Sequence, residues 1–127
     1  MTETMTPDEF LAQYGSPSKF HNVKTPVDGY TFGSKSEARR YGELKRLVAY
    51  GKISGLRVHP RYMLQEAFKD RSGKTHRAIT YEADFEYREN GGVTVEDVKG
   101  ARTAVFNLKE KLFIHKYPEL DFRVVEA

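Results

Sequence analysis

Apolar and polar residues alternate along two runs that flank Glu89-Asn90-Gly91-Gly92. Asn-Gly and Gly-Gly accept positive φ at little cost, so this stretch predicts a hairpin. In the first run Ile79, Tyr81, Ala83, Phe85 and Tyr87 fall on one side, and Thr80, Glu82, Asp84 and Glu86 on the other. In the second, Val93, Val95, Asp97 and Lys99 share a side, opposite Thr94, Glu96 and Val98. Asp97 and Lys99 therefore continue a line of two valines. A carboxylate on a buried face is costly unless it is paired or bound to a cation. Asp97 and Lys99 are spaced to pair with each other, and Asp84 lies close across the hairpin. Two carboxylates and an ammonium on one sheet have the makings of a metal site with a catalytic lysine. On the hairpin alone, a structural ion pair accounts for them equally well.

The rest of the pattern is helical or loop-like. Thr6-Pro7-Asp8-Glu9 reads as a capping box with Pro at the first helical position, and Gly15 as a stop, which predicts a short helix over about 7–14. Ser16 to Asp28 is polar, holds Pro17 and Pro26, and reads as a loop or arm whose Lys19, His21 and Lys24 are within reach of a polyanion. Ser34-Lys35-Ser36-Glu37 is a second capping box, opening a helix of about 35–50 that Gly51 closes. Its apolar stripe is Ala38, Tyr41, Leu44, Leu47 and Val48. Glu37 sits at the edge of that stripe, placed either to cap the helix, where its dipole favours an acid, or to serve a site. Arg39, Arg40, Lys45 and Arg46 lie mostly off the stripe, as a solvated face or a phosphate-binding one.

Leu56 to Gln65 predicts a strand interrupted at Pro60, which places it at an edge or a bulge. Lys69 to Lys74 is a charged hairpin turn. After Gly100 a helix of about 104–116 follows, with Val105, Leu108, Leu112 and Phe113 as its apolar face and Lys109, Lys111 and Lys116 as its flank. Pro118 stops it, and Asp121 to Val125 closes the chain as a strand. The order is helix, three strands, helix, strand, an α/β (α+β) fold with a central mixed sheet flanked by helices. Residues 1–28 form an N-terminal short helix and arm, and 29–127 form one domain.

Composition narrows the chemistry. At 127 residues the chain suits a single core. It carries no cysteine, which excludes disulfides, zinc–thiolate sites and thiol catalysis. The net charge of +3 is compatible with nucleic acid without demanding it. No apolar run approaches the roughly 20 residues of a membrane span. The opening MTETMTPDEF lacks the basic and apolar regions of a signal peptide, so the expectation is a soluble cytoplasmic protein.

A helix-borne Glu37, then Ala83-Asp84 on one strand, then Asp97-Val98-Lys99 on the next resembles the PD-(D/E)XK nuclease superfamily. The order of elements resembles the restriction-endonuclease-like core of that superfamily. The match is closer to a phage and prophage family within it, whose members are described as endonucleases or Holliday-junction resolvases. The residues carrying this are Gly29 to Ala38 (GYTFGSKSEA), Thr80 to Phe85 (TYEADF) and Glu96 to Gly100 (EDVKG), and the resemblance covers roughly residues 20–125. The proline of the superfamily's name is Ala83 here, and the second acid is Asp97 with Glu96 beside it.

The resemblance implies a metal-dependent endonuclease that hydrolyses phosphodiester bonds in DNA, structure-selective and acting on recombination or replication intermediates in a bacterial host cell. Asp84, Asp97 and the backbone carbonyl of Val98 would hold Mg²⁺ or Mn²⁺, hard cations suited to oxygen ligands, and Glu37 would hold a further ion or orient water. Lys99 would orient the attacking water or stabilise charge in the transition state. Lys35, Arg39, Arg40, Arg71, Lys74, Arg77, Arg102 and Lys109 are the candidate DNA contacts. Two symmetric cuts in a branched substrate imply a homodimer, with Tyr14, Phe20, Tyr30 and Phe32 as candidate contact residues. The alternative is a non-catalytic DNA- or partner-binding module on a nuclease fold.

Overall fold

Ser34 accepts a hydrogen bond from the Glu37 amide at 3.2 Å and so fixes where the first described helix begins. This is a computed structural model that describes residues 24–127; the helix expected over 7–14 lies outside the described residues. Helix α1 spans Lys35–Ala49. It ends in a Schellman motif, in which Gly51 (φ 73°) donates to the Val48 carbonyl and Lys52 to that of Leu47. Helix α2 spans Ala104–Lys116, capped by the Thr103 hydroxyl, which accepts from the Phe106 amide at 3.0 Å.

Strands β1 (Thr25–Val27) and β2 (Tyr30–Phe32) precede α1 and form an antiparallel hairpin. The expected loop or arm over 16–28 lies outside the described residues up to 23 and is corrected over 25–28, which form a strand and the start of a two-residue turn at Asp28 and Gly29, both at positive φ. Phe32, considered above as an intersubunit contact, is fully buried.

Strands β3 (Ser54–Val58), β8 (Phe85–Glu89), β9 (Gly92–Lys99) and β10 (Asp121–Glu126) make a four-stranded mixed sheet in the order β10-β9-β8-β3. Only β10 runs parallel to its neighbour, β9, to which α2 is the crossover. The β8–β9 hairpin turns at Asn90-Gly91, both at positive φ, with Glu89 facing Gly92. Strands β4 (Arg61–Gln65) and β7 (Ile79–Glu82) pair separately, and β5 (Phe68–Lys69) with β6 (Thr75–His76) closes the charged turn. The architecture is α+β, with a central mixed sheet and two helices.

One helix serves each of two cores. Tyr41 and Leu44 of α1 pack with Phe32, Phe85, Tyr87 and Val98. Phe106 and Phe113 of α2 pack with Leu64, Tyr81, Ala83 and Val95. Two expectations are corrected. The run 79–87 does not keep one buried side, because Tyr81 and Ala83 belong to the α2 core and Phe85 and Tyr87 to the α1 core. The chain bends at Ala83-Asp84, opposite an equal break at His59-Pro60, where the Asp84 carbonyl accepts from the His59 amide (2.9 Å) and the Pro60 carbonyl from that of Ala83 (3.0 Å). Both strands of one long antiparallel pair therefore change direction at the same level. The apolar face of α2 is also corrected in part: Leu112 and Phe113 pack inward as expected, joined by Phe106 in place of Val105 and Leu108. Phe106 and Phe113 are buried, whereas Val105 and Leu108 are 64% and 59% exposed, because two aromatic rings fill the space under the helix.

Glu96 is fully buried on the α1 side of β9. The Arg40 guanidinium donates to both its oxygens, at 2.8 and 2.7 Å, and the Tyr87 hydroxyl donates to it as well. The fork of Arg matches a carboxylate, and such a pair is strong only when its remaining lone pairs are also satisfied, as here. Glu96 therefore ties α1 to the sheet and faces away from Asp97.

Candidate metal centre

The double break in the β3–β4 and β7–β8 strands gathers the chemistry of the chain. There the Asp84 amide donates to the Glu96 carbonyl at 3.1 Å, and its carboxylate accepts from the Val98 amide of β9 at 2.7 Å. Burial, first, and then hydrogen-bonding contact with Asp97, the charge of Asp97 and that of Glu37 hold the Asp84 carboxyl well above the usual carboxylate range. Asp97 is itself buried, accepts from the Tyr81 hydroxyl, and lies 3.5 Å from Lys99 Nζ. Burial and then the Asp97 charge push the Tyr81 hydroxyl pKa upward, so Tyr81 stays a donor. The Lys99 ammonium rests 4.6 Å from the centre of the Phe106 ring, which holds it by cation–π attraction beside the acid pair.

Glu37 reaches the same place from the first turn of α1. Its Oε2 accepts from the Gly33 amide at 3.3 Å, so it closes the cap and faces the site at once. A Cβ on Gly33 would stand 3.2 Å from Glu37 Oε1, which is why the close approach suits a glycine there. Ligand-competent atoms of Glu37, His59 and Asp84 all lie within 4.8 Å of one another, and Asp84 is common to this group and to the Asp97 pair. His59 was not among the expected site residues. It has a positive φ of 54°, which costs a non-glycine residue about 1 kcal/mol. Glu37, its ion-pair neighbour at 3.9 Å, raises the imidazole pKa against the opposing effect of burial. The available signal was a histidine immediately before Pro60, one position beyond Val58, which faces Phe85 across the sheet.

The group opens into a cleft of about 430 Å³ lined by Lys24, Phe32, Glu37, His59, Glu82 and Asp84. Lys99 borders a second cleft of about 350 Å³ with Gly100, Arg102, Val124 and Glu126. Among the expected DNA contacts, Lys35, Arg39, Arg71, Lys74 and Arg77 are exposed. Arg40 holds Glu96, Lys109 donates to the Thr80 carbonyl at 3.0 Å, and Arg102 pairs with Glu110 at 2.8 Å. For Arg40 this corrects the expectation of an outward phosphate contact, since its partner is buried on the sheet.

The donor set fits a divalent cation. Two carboxylates and an imidazole converge at Glu37, His59 and Asp84, and Asp84 also touches Asp97 in a buried setting that disfavours both acids being charged without a counter-ion. This has a consequence for the metal-free protein. The elevated pKa values of Asp84 and His59 mean that the folded chain holds protons the unfolded chain releases. Their contribution to stability is complete below the ordinary pKa values, about 4 and 6.5, and is lost as pH rises through the elevated ones. The melting temperature without metal should therefore fall between about pH 5 and about pH 9, and added Mn²⁺ should offset the fall. Thermal scans across pH with and without the ion test this; a metal-free melting temperature that rises over that range contradicts it.

No helix of the described residues is long and apolar enough to cross a membrane. No curated protein and no solved structure matches the chain. The family described as "Protein of unknown function (DUF1064)" matches residues 17–127, nearly the whole sequence, and the chain belongs to it.

Proposed function

We propose that this protein is a metal-dependent DNA endonuclease with a restriction-endonuclease-like core, structure-selective in the manner of a Holliday-junction resolvase and acting as a homodimer. The observation that carries the reading is the buried Asp84–Asp97 pair with the Lys99 ammonium beside it, joined through Asp84 to Glu37 on the first turn of α1. A purely structural ion pair needs one acid for one lysine; here two acids touch, and a third converges on one of them.

Asp84, Asp97, Glu37 and His59 would hold Mg²⁺ or Mn²⁺. Bound there, the ion supplies positive charge to the scissile phosphate and acidifies water. Everything else falls to the side chains. Asp84 gives up its proton when the site is loaded. Tyr81 and Lys99 hold Asp97 in place, and Lys99 stands ready to stabilise the charge that builds on the phosphate in the transition state. Lys24, in the wall of the cleft, and Lys35 and Arg39, exposed on α1, position the DNA backbone. Binding should weaken steeply with salt as phosphate contacts release counterions.

Glu37 separates the catalytic reading from the capping one. Glutamine completes a capping box as glutamate does. Glu37→Gln should therefore leave the melting temperature within about 2 °C of the parent while cleavage falls on the order of 100-fold. Gel-based cleavage beside a thermal scan checks this, and undiminished turnover would return Glu37 to a capping role alone.

A further inference from the structure

We propose that His59 is a nitrogen ligand of this centre and makes it prefer Mn²⁺ to Mg²⁺, an inference that rests on the metal-dependent reading of the site. Three observations carry it. Its ring offers a donor atom within 4.8 Å of donor atoms of both Glu37 and Asp84, and its Nε2 lies 3.9 Å from Glu37 Oε2, separated enough for both to face one ion. The ring is held in place. It packs 5.7 Å from the ring centre of the fully buried Phe32, and the His59 amide donates to the carbonyl of Asp84, so ligand and ligand are tied through one backbone bond. The residue also occupies a left-handed backbone position (φ 54°), where glycine would sit more easily than histidine.

The chemistry follows from the donor. Mg²⁺ takes oxygen ligands and sheds water reluctantly. An imidazole nitrogen is a softer donor, and divalent ions of the first transition series bind such N/O sites more tightly along the series that begins at Mn²⁺. A site of carboxylates alone leaves the two ions close competitors. Replacing one oxygen by a fixed imidazole penalises Mg²⁺ selectively.

The test uses the full chain and the ions themselves. Pulsed electron paramagnetic resonance on the Mn²⁺-loaded protein should show coupling to a directly bound imidazole ¹⁴N. The coupling should vanish in His59→Asn, which retains a residue tolerant of positive φ and removes the ring. Calorimetric titration should show the Mn²⁺-over-Mg²⁺ affinity ratio falling about tenfold or more in that variant. A wild-type spectrum with oxygen ligation only, or an unchanged ratio in His59→Asn, overturns the assignment of His59 and leaves the carboxylate centre standing. Failure of the wild-type chain to take up either ion at millimolar concentration overturns both this inference and the nuclease reading.

Discussion

Asp84→Asn is expected to yield a protein that is inactive and yet more heat-resistant than its parent. Asparagine has the size of aspartate, keeps an oxygen for the Val98 amide, and can donate to Asp97. It mimics the protonated acid that the metal-free fold already prefers, so the gain at neutral pH should be about 1 kcal/mol or more, read as a rise of several degrees. What it removes is the anionic donor common to both halves of the centre. Divalent-ion binding should become undetectable, and cleavage should fall on the order of 10³-fold or more. Retained DNA binding, measured by anisotropy, separates loss of chemistry from loss of the surface. Ordinary structural ion pairs behave in the opposite way, losing stability when one partner is neutralised.

The second large effect falls on the fold. Arg40→Ala should destabilise the protein by about 3 kcal/mol or more, because it leaves the Glu96 carboxylate, 1% exposed, with no cation. Denaturant unfolding measures this directly. The double variant Arg40→Ala, Glu96→Gln should recover much of the loss, since the stranded charge is then gone. Had Arg40 been an outward phosphate contact, the single variant would weaken DNA binding and scarcely move the unfolding midpoint.

These two residues show what the sequence made legible and what it did not. Helix starts and stops were written locally: Ser34 with Glu37, Gly51 after the last turn, Thr103 before α2. Asn90-Gly91 likewise set the β8–β9 register. The alternation Val95, Asp97, Lys99 placed an acid and a lysine in line on one face of β9, and it holds because that strand is unbroken from Gly92 to Lys99. Period-two reasoning failed at 79–87, where the strand bends at Asp84 and changes cores. That bend depends on backbone bonds to the residues around His59 and Pro60, some 25 positions earlier, and no local pattern encodes a partner so distant. The same bend hid His59, whose role exists only once two strand breaks are aligned. The Asp28-Gly29 turn was legible in principle, but flanking prolines made the segment read as an arm. On α2, spacing placed Leu112 and Phe113 inward correctly but took Val105 and Leu108 over Phe106, whose ring fills the core.

The acid pair, the lysine and Glu37 together lead to one reaction, and one assay addresses it most directly. End-labelled four-way junction, fork, flap and linear duplex are incubated with the wild-type chain and with Asp84→Asn, in Mn²⁺, in Mg²⁺ and in chelator. The nuclease reading predicts paired cuts in the branched DNAs by the wild-type chain in the presence of metal, and none in chelator or by the variant. Intact substrates in every lane, with the wild-type chain demonstrably folded and bound to DNA, would contradict it.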